Sequence, residues 1–176
     1  MPSDAPGPPR KLRLFLALWP DEATRGAVAS WQQKWRWPSG AARVAPGQLH
    51  VTVHFLGDVE GQRLPALTAG LKVAFEGFDL DLGRAEVWPH GLAVLCPHDT
   101  PAALLRLHSA LAQRCLDLDL PVDGRPYRPH ITLARRAAGA CPPPEGPGLR
   151  WPACEGYVLV RSLPGGAGYQ VLERFG

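Results

Sequence analysis

The 176-residue sequence has little of what several protein classes need. Its four cysteines, Cys96, Cys115, Cys141 and Cys154, include no Cys-x-x-Cys pair, which removes support for a zinc finger or a disulfide framework. Four reduced thiols in a cytoplasmic protein are the expectation. No stretch approaches about 18 uninterrupted apolar residues, so no membrane-spanning helix is expected. Leu12 to Trp19 is too short for a signal-peptide core, contains Arg13 and runs into Pro20-Asp21-Glu22. Net charge is only +3, so a nucleic acid has to be met by a local basic cleft, and a long duplex is a poor partner. Metal-ligand spacing is missing too. His50 and His54 share a strand face in regular alternation, but four residues set them roughly 13 Å apart, too far to hold one ion. His90, His98 and His108 have no partner at useful spacing. No metal or other cofactor is expected.

What is present is a doublet. Gln48-Leu49-His50-Val51-Thr52-Val53-His54-Phe55-Leu56-Gly57 alternates apolar and polar residues as a strand does, and Arg128-Pro129-His130-Ile131-Thr132-Leu133-Ala134-Arg135 repeats the same His, β-branched, Thr, apolar order 80 residues on. In a strand each His lies roughly 7 Å from its Thr on the same face. One His-x-Thr is weak evidence. Two of them, separated by nearly half the chain, suggest a duplicated lobe whose two imidazoles and two hydroxyls converge on one cleft.

The remaining sequence predicts the frame for that pair. Residues 1–10 read as a disordered lead-in, rich in Pro, Gly and Ala, and 11–176 as a single domain. Leu12 to Leu18 reads as a buried strand. Asp21 opens a helix carrying Ala23, Ala27, Val28, Trp31 and Trp35 to a stop at Trp37-Pro38-Ser39-Gly40, with both tryptophans in the core. A second helix is expected from about Gln62 to Phe75. Strands are expected at Phe78–Leu82 and Leu92–Leu95, and Thr100-Pro101 reads as cap and first-turn proline of a helix along Leu104, Leu107, Leu111, Cys115 and Leu118. Cys141 to Pro147 reads as a surface loop, and Val158–Ser162 and Tyr169–Phe175 as strands joined by a glycine-rich turn. The order implies an α+β fold.

The doublet, with Arg13-Leu14-Phe15-Leu16-Ala17, Leu49 to Val59 and the Gly166-x-Gly168-Tyr169 ending, resembles the two-histidine phosphoesterases, specifically the bacterial RNA 2',3'-cyclic phosphodiesterases, also called 2'-5' RNA ligases. Val51 and Val53 stand where leucine is commoner in that family, which keeps the apolar character. The resemblance implies a bilobal α+β fold, two antiparallel sheets facing a central cleft with helices outside. It also implies metal-independent hydrolysis of a ribose 2',3'-cyclic phosphate to a 2'-phosphate, with 2'-5' ligation as the reverse activity. The partners would be RNA ends or nucleotides carrying that cyclic phosphate, and the working unit a monomer.

In that scheme His50 and His130 are the acid and base, in an order left open, and Thr52 and Thr132 donate to the non-bridging phosphate oxygens. Arg135 corresponds to a family phosphate-binding arginine, although its odd offset from His130 places it on the opposite face of a regular strand. Phe15 matches a family aromatic that stacks on a base, while a strand Phe is by default a core residue. Two other readings remain open: a catalytically silent RNA- or nucleotide-binding module, and a hydrolase of a non-RNA cyclic phosphodiester.

Overall fold

The computed structural model describes residues 10–176; the expected lead-in through Pro9 lies outside the described residues. The chain runs β1 (Lys11–Leu18), α1 (Glu22–Gln32), β2 (Ala42–Arg43), β3 (Val51–Glu60), α2 (Leu64–Gly70), β4 (Phe78–Trp88), β5 (Leu92–Pro97), α3 (Ala102–Asp117), β6 (Ile131–Arg135), β7 (Leu149–Ala153), β8 (Tyr157–Ser162) and β9 (Tyr169–Phe175). The expected α+β architecture is present as two antiparallel four-stranded halves, β3-β1-β8-β9 and β7-β4-β5-β6, with the short β2 beside β6. They join at their inner strands through one residue pair, Val51 with Ile131. Each half therefore brings the start of its His-bearing strand to the junction.

Alternation along β1 explains the layering. Leu12, Leu14, Leu16 and Leu18 enter the main core, which also takes Val28 and Trp31 of α1, Leu67 of α2 and Leu104, Leu107, Leu111 and Cys115 of α3. Each fully buried leucine side chain adds about 1.5–3 kcal/mol of transfer free energy. The intervening Phe15 and Ala17 turn to the other side and join Val158 and Val160 in a small separate cluster. It is this second face that carries the site.

Several local expectations change. Asp21 caps α1, its carboxylate accepting from the Thr24 N–H at 2.7 Å, but the helix ends at Gln32. Trp35 reaches the core from the following turn. α2 stops at Gly70 rather than Phe75, since glycine is a poor helix former and the Tyr157 hydroxyl engages the next backbone, donating to the Leu71 carbonyl and accepting from the Val73 N–H at 2.8 Å. Thr100 does not cap α3; Pro101 is the N-cap residue and no side chain caps that end. β2 and β7 were not expected: one is two residues long, the other contains Pro152 and lies at the edge of the sheet.

Candidate active site

His50 and His130 each sit immediately before the strand that follows them, β3 and β6. Extending the Val51–Ile131 antiparallel register by one residue each way sets His50 across from Thr132 and Thr52 across from His130. Both imidazoles are held in the same way. His50 Nδ1 lies 2.7 Å from the Gln48 carbonyl and His130 Nδ1 lies 2.7 Å from the Arg128 carbonyl. A carbonyl only accepts, so Nδ1 carries the proton in both rings and Nε2 is the atom left to exchange protons in the cleft. The Thr52 hydroxyl donates to His50 Nε2 at 3.1 Å.

The two rings have different walls. Trp19 stacks on His50 at 5.6 Å between centroids, with Phe15 at 5.0 Å and Tyr169 edge-on at 5.2 Å. His130 has Trp88 at 4.5 Å, and the Arg128 guanidinium lies over that indole at 4.3 Å while pairing with Glu86 at 3.2 Å. Beside His130 a cavity of about 510 Å³ is walled by Phe55, Trp88, His108, Tyr127 and Arg128. Sequence reasoning passed over Trp19, Trp88 and Tyr169, because only tertiary structure brings these aromatics to the histidines.

Burial pushes the pKa of His50 down, opposed by its bond to the Gln48 carbonyl and reinforced by the charges of His130 and Arg135. His130 is lowered in the same way, by burial first, against the Arg128 carbonyl bond and with the charges of Arg128 and Arg135. Both rings therefore favour the neutral form in the free protein, and Arg135 lies close enough to act on each.

That position of Arg135 follows from a β-bulge. β5 pairs Val94 with Thr132 and the adjacent Ala93 with Ala134, so Leu133 is an extra residue in β6. The extra residue inverts the alternation beyond it, and Arg135 returns to the face of His130 and Thr132 despite its odd offset. The Leu133 carbonyl accepts from the Gln32 side chain at 2.7 Å and from the Val44 N–H at 2.8 Å. Gln32 is itself buried. It is a positioning residue with no sequence signal of its own, since a glutamine late in a helix ordinarily faces water.

A second bulge overturns one expectation. β1 pairs Ala17 with Thr52 and Leu16 with His54, so Val53 is the extra residue in β3. His54 therefore does not share a face with His50. It turns to the other side, is 4% exposed, bonds the His108 carbonyl at 2.8 Å and stacks on the His108 ring at 4.2 Å. The same shift brings Phe55, 65% exposed, to the cleft face 6.0 Å from Phe15. Phe15 is 3% exposed, with its ring against His50, Phe55 and Tyr169. It braces His50 and offers no free face to a base. Among the described residues no three His, Cys, Asp or Glu side chains gather as a metal site, and no helix is long and apolar enough to cross a membrane.

A family model described as the 2'-5' RNA ligase superfamily matches residues 20–153. The chain is 35% identical to the RNA 2',3'-cyclic phosphodiesterase of Thermus thermophilus, over 93% of this chain and 89% of that protein. It is 32% identical to the RNA 2',3'-cyclic phosphodiesterase of Escherichia coli, over 79% of this chain and 80% of that protein. The crystal structure of E. coli LigT in apo form superposes with a TM-score of 0.82 at 29% identity, covering 93% of this chain and 96% of LigT.

Proposed function

This chain belongs to the 2'-5' RNA ligase superfamily, and on that premise we propose that it is an RNA 2',3'-cyclic phosphodiesterase that opens the cyclic phosphate to a 2'-phosphate. The observation that carries this reading is the pair of imidazoles fixed by the same Nδ1-to-carbonyl bond at the junction of the two half-sheets. The reaction needs one proton removed and one delivered on opposite sides of a phosphorus atom. One Nε2 takes a proton from water as the water oxygen bonds to phosphorus; the P–O3' bond breaks and the other Nε2, protonated, gives its proton to O3'. An imidazole serves either role near neutrality.

Negative charge grows on the non-bridging oxygens during this displacement. Thr52 and Thr132 supply hydroxyl donors on the same face, and the bulge turns the Arg135 charge toward the same space. The Thr52 hydroxyl has to turn from His50 Nε2 to the phosphate, whereas donors that already face the cleft require little reorganisation as the charge develops. The negative charge of the bound cyclic phosphodiester raises the pKa of both histidines from their lowered free-protein values, which helps one of them hold the proton that the leaving oxygen needs. The cavity beside His130, about 510 Å³ and partly aromatic, has room for the terminal nucleoside.

The test is hydrolysis of 2',3'-cyclic mononucleotides in the presence of EDTA, followed chromatographically. The expected result is turnover that the chelator leaves unchanged, because the acid, the base and the phosphate donors are all side chains. Turnover that collapses in EDTA and returns with a divalent ion would contradict the scheme.

A further inference from the structure

The two imidazoles are steadied unequally. His50 follows the helical turn Pro46–Gln48 and packs against three rings, whereas residues 121–130, which deliver His130, form neither helix nor strand. Two side chains tie that segment to strands. The Tyr127 hydroxyl donates to the Thr52 carbonyl of β3 at 2.9 Å, and the Arg128 guanidinium donates to Glu86 of β4 at 3.2 Å. Glu86 stands on the cleft face: it pairs with Val94 of β5, which pairs with Thr132 of β6, so the three side chains lie in one row on one side of the sheet. Ala93 and Leu95 enter the main core and Val94 does not. A carboxylate facing the cleft repels an anionic substrate, but this one is turned to local partners. Its Oε2 accepts from the Trp88 indole N–H at 2.5 Å and from Arg128, and Arg84 lies 3.8 Å from Oε1. Both partners of Oε2 bear on His130. Trp88 is the ring against that imidazole, at 4.5 Å, and Arg128 supplies the carbonyl 2.7 Å from its Nδ1. The guanidinium over the indole at 4.3 Å closes the triangle.

We propose that Glu86 is the positioning residue of His130: by holding the Trp88 indole and the Arg128 guanidinium at one carboxylate oxygen, it fixes an imidazole that stands outside the strand, acting through those two side chains. The inference rests on the cyclic phosphodiesterase reading and adds a residue to its machinery. The charge of Glu86 has a second effect at the same ring. Arg128 and Arg135 both lower the pKa of His130, and a carboxylate paired with Arg128 offsets the first of these. The other groups around the ring leave that balance to Glu86. His50 across the junction favours its neutral form, Arg84 lies beyond Glu86, and the Cys96 thiol of β5, pushed up to about 11, is neutral. Around the adjoining cavity Asp123 pairs with Arg125, and His108, lowered to about 4, is neutral.

The experiment compares the parent with Glu86→Gln, Glu86→Ala and Trp88→Phe. Each protein is titrated by proton NMR of its histidine rings, with His50→Ala and His130→Ala assigning the signals, and each is assayed on 2',3'-cyclic AMP across pH. Circular dichroism checks the fold. In both Glu86 variants the pKa of His130 should fall by about 0.5, because Arg128 is left uncompensated, while His50 moves less than half as far. The limb of kcat/KM against pH that belongs to His130 should move to lower pH with it. At its own optimum pH, Glu86→Ala should lose about tenfold in kcat, since a ring displaced by a fraction of an ångström leaves the in-line geometry. Glu86→Gln, whose amide oxygen still accepts from the indole, should keep kcat within about twofold. Trp88→Phe, which keeps a ring but loses the bond, should lower kcat and leave the His130 pKa in place. Equal kcat losses in the Gln and Ala variants, a His130 titration that neither moves, or equal shifts at both histidines overturn the proposal. If Glu86→Ala does not fold, parent-like kcat in Trp88→Phe overturns it instead. The titration needs no turnover, so the two readings separate. A parent that hydrolyses cyclic AMP with a His130 indifferent to Glu86 overturns the tether and keeps the hydrolase. A Glu86-dependent His130 in a parent without turnover keeps the tether and overturns the hydrolase.

Discussion

At the scale of single residues, the site depends on which nitrogen of each histidine is free. The carbonyls of Gln48 and Arg128 hold Nδ1, which leaves Nε2 for the proton transfers that the proposed reaction requires. His50→Ala and His130→Ala should each lower kcat by about 10³–10⁴-fold, the upper part of the range for a lost acid or base, because the remaining histidine does not reach both ends of the displacement. Thr52→Ala and Thr132→Ala remove only a donor to the developing charge, and about 10–100-fold is expected, less than for a rigid backbone donor because water enters the vacated space. Steady-state rates, with melting temperature as the control for folding, check this order. The convergence of these four residues at one junction was legible in the sequence because His-x-Thr spacing survives on any local strand. Arg135 and Phe15 were not, since the facing of one depends on a bulge and the role of the other on which rings its neighbours bring.

At the scale of elements, irregularities place the chemistry. Regular alternation in β6 would send Arg135 to the back of the sheet, and regular β3 would send His54 to the front; one inserted residue in each strand reverses both outcomes. Bulges have no reliable sequence signature, which is why the elements could be read but their facing beyond Leu133 and Val53 could not. The β6 bulge is gripped from α1 by Gln32, so Gln32→Leu should lower stability by about 1–3 kcal/mol through the lost bonds to the Leu133 and Val44 carbonyls. It should also lower kcat/KM through Arg135. A double-mutant cycle of Gln32→Leu with Arg135→Met tests that link: losses less than additive are expected, and strict additivity would separate the two residues.

The β8–β9 turn makes a similar contribution. Gly168 has φ +104°, and a Cβ there would stand 2.8 Å from the Gln48 side chain, whose residue holds His50. Gly168→Ala should therefore destabilise by about 1–3 kcal/mol from backbone strain and reduce kcat by about tenfold as His50 shifts. A stability loss without a kcat loss would mean that the turn does not position the ring. The glycine-rich ending was readable as a turn, whereas its contact across the site with Gln48 was not.

At the scale of the whole molecule, the two half-sheets meet at Val51 and Ile131, and burial at and near that junction keeps four histidines toward the neutral state. His50, His54, His108 and His130 all have lowered pKa values, with His108 down to about 4 from 6.5. In the unfolded chain they titrate near 6.5. Below that pH the unfolded state binds more protons than the folded one, so the stability these neutral rings contribute is complete above about 6.5 and is lost as pH falls toward 4. Thermal melts from neutral to acid pH should show this decline, and His108→Gln should make it shallower. The α+β order and the facing lobes were legible from element sequence and the doublet; their union at a single residue pair was not, since nothing local encodes it.

The central claim, that the paired imidazoles open a 2',3'-cyclic phosphate by attack of water with departure of O3', is tested most directly by phosphorus NMR of the protein acting in EDTA on RNA ending in that group. The account predicts that the cyclic resonance gives way to a single 2'-phosphomonoester and that the His50→Ala/His130→Ala protein, folded as the parent is, leaves it unchanged. A 3'-phosphate product, or conversion by the double variant at the parent's rate, would contradict it.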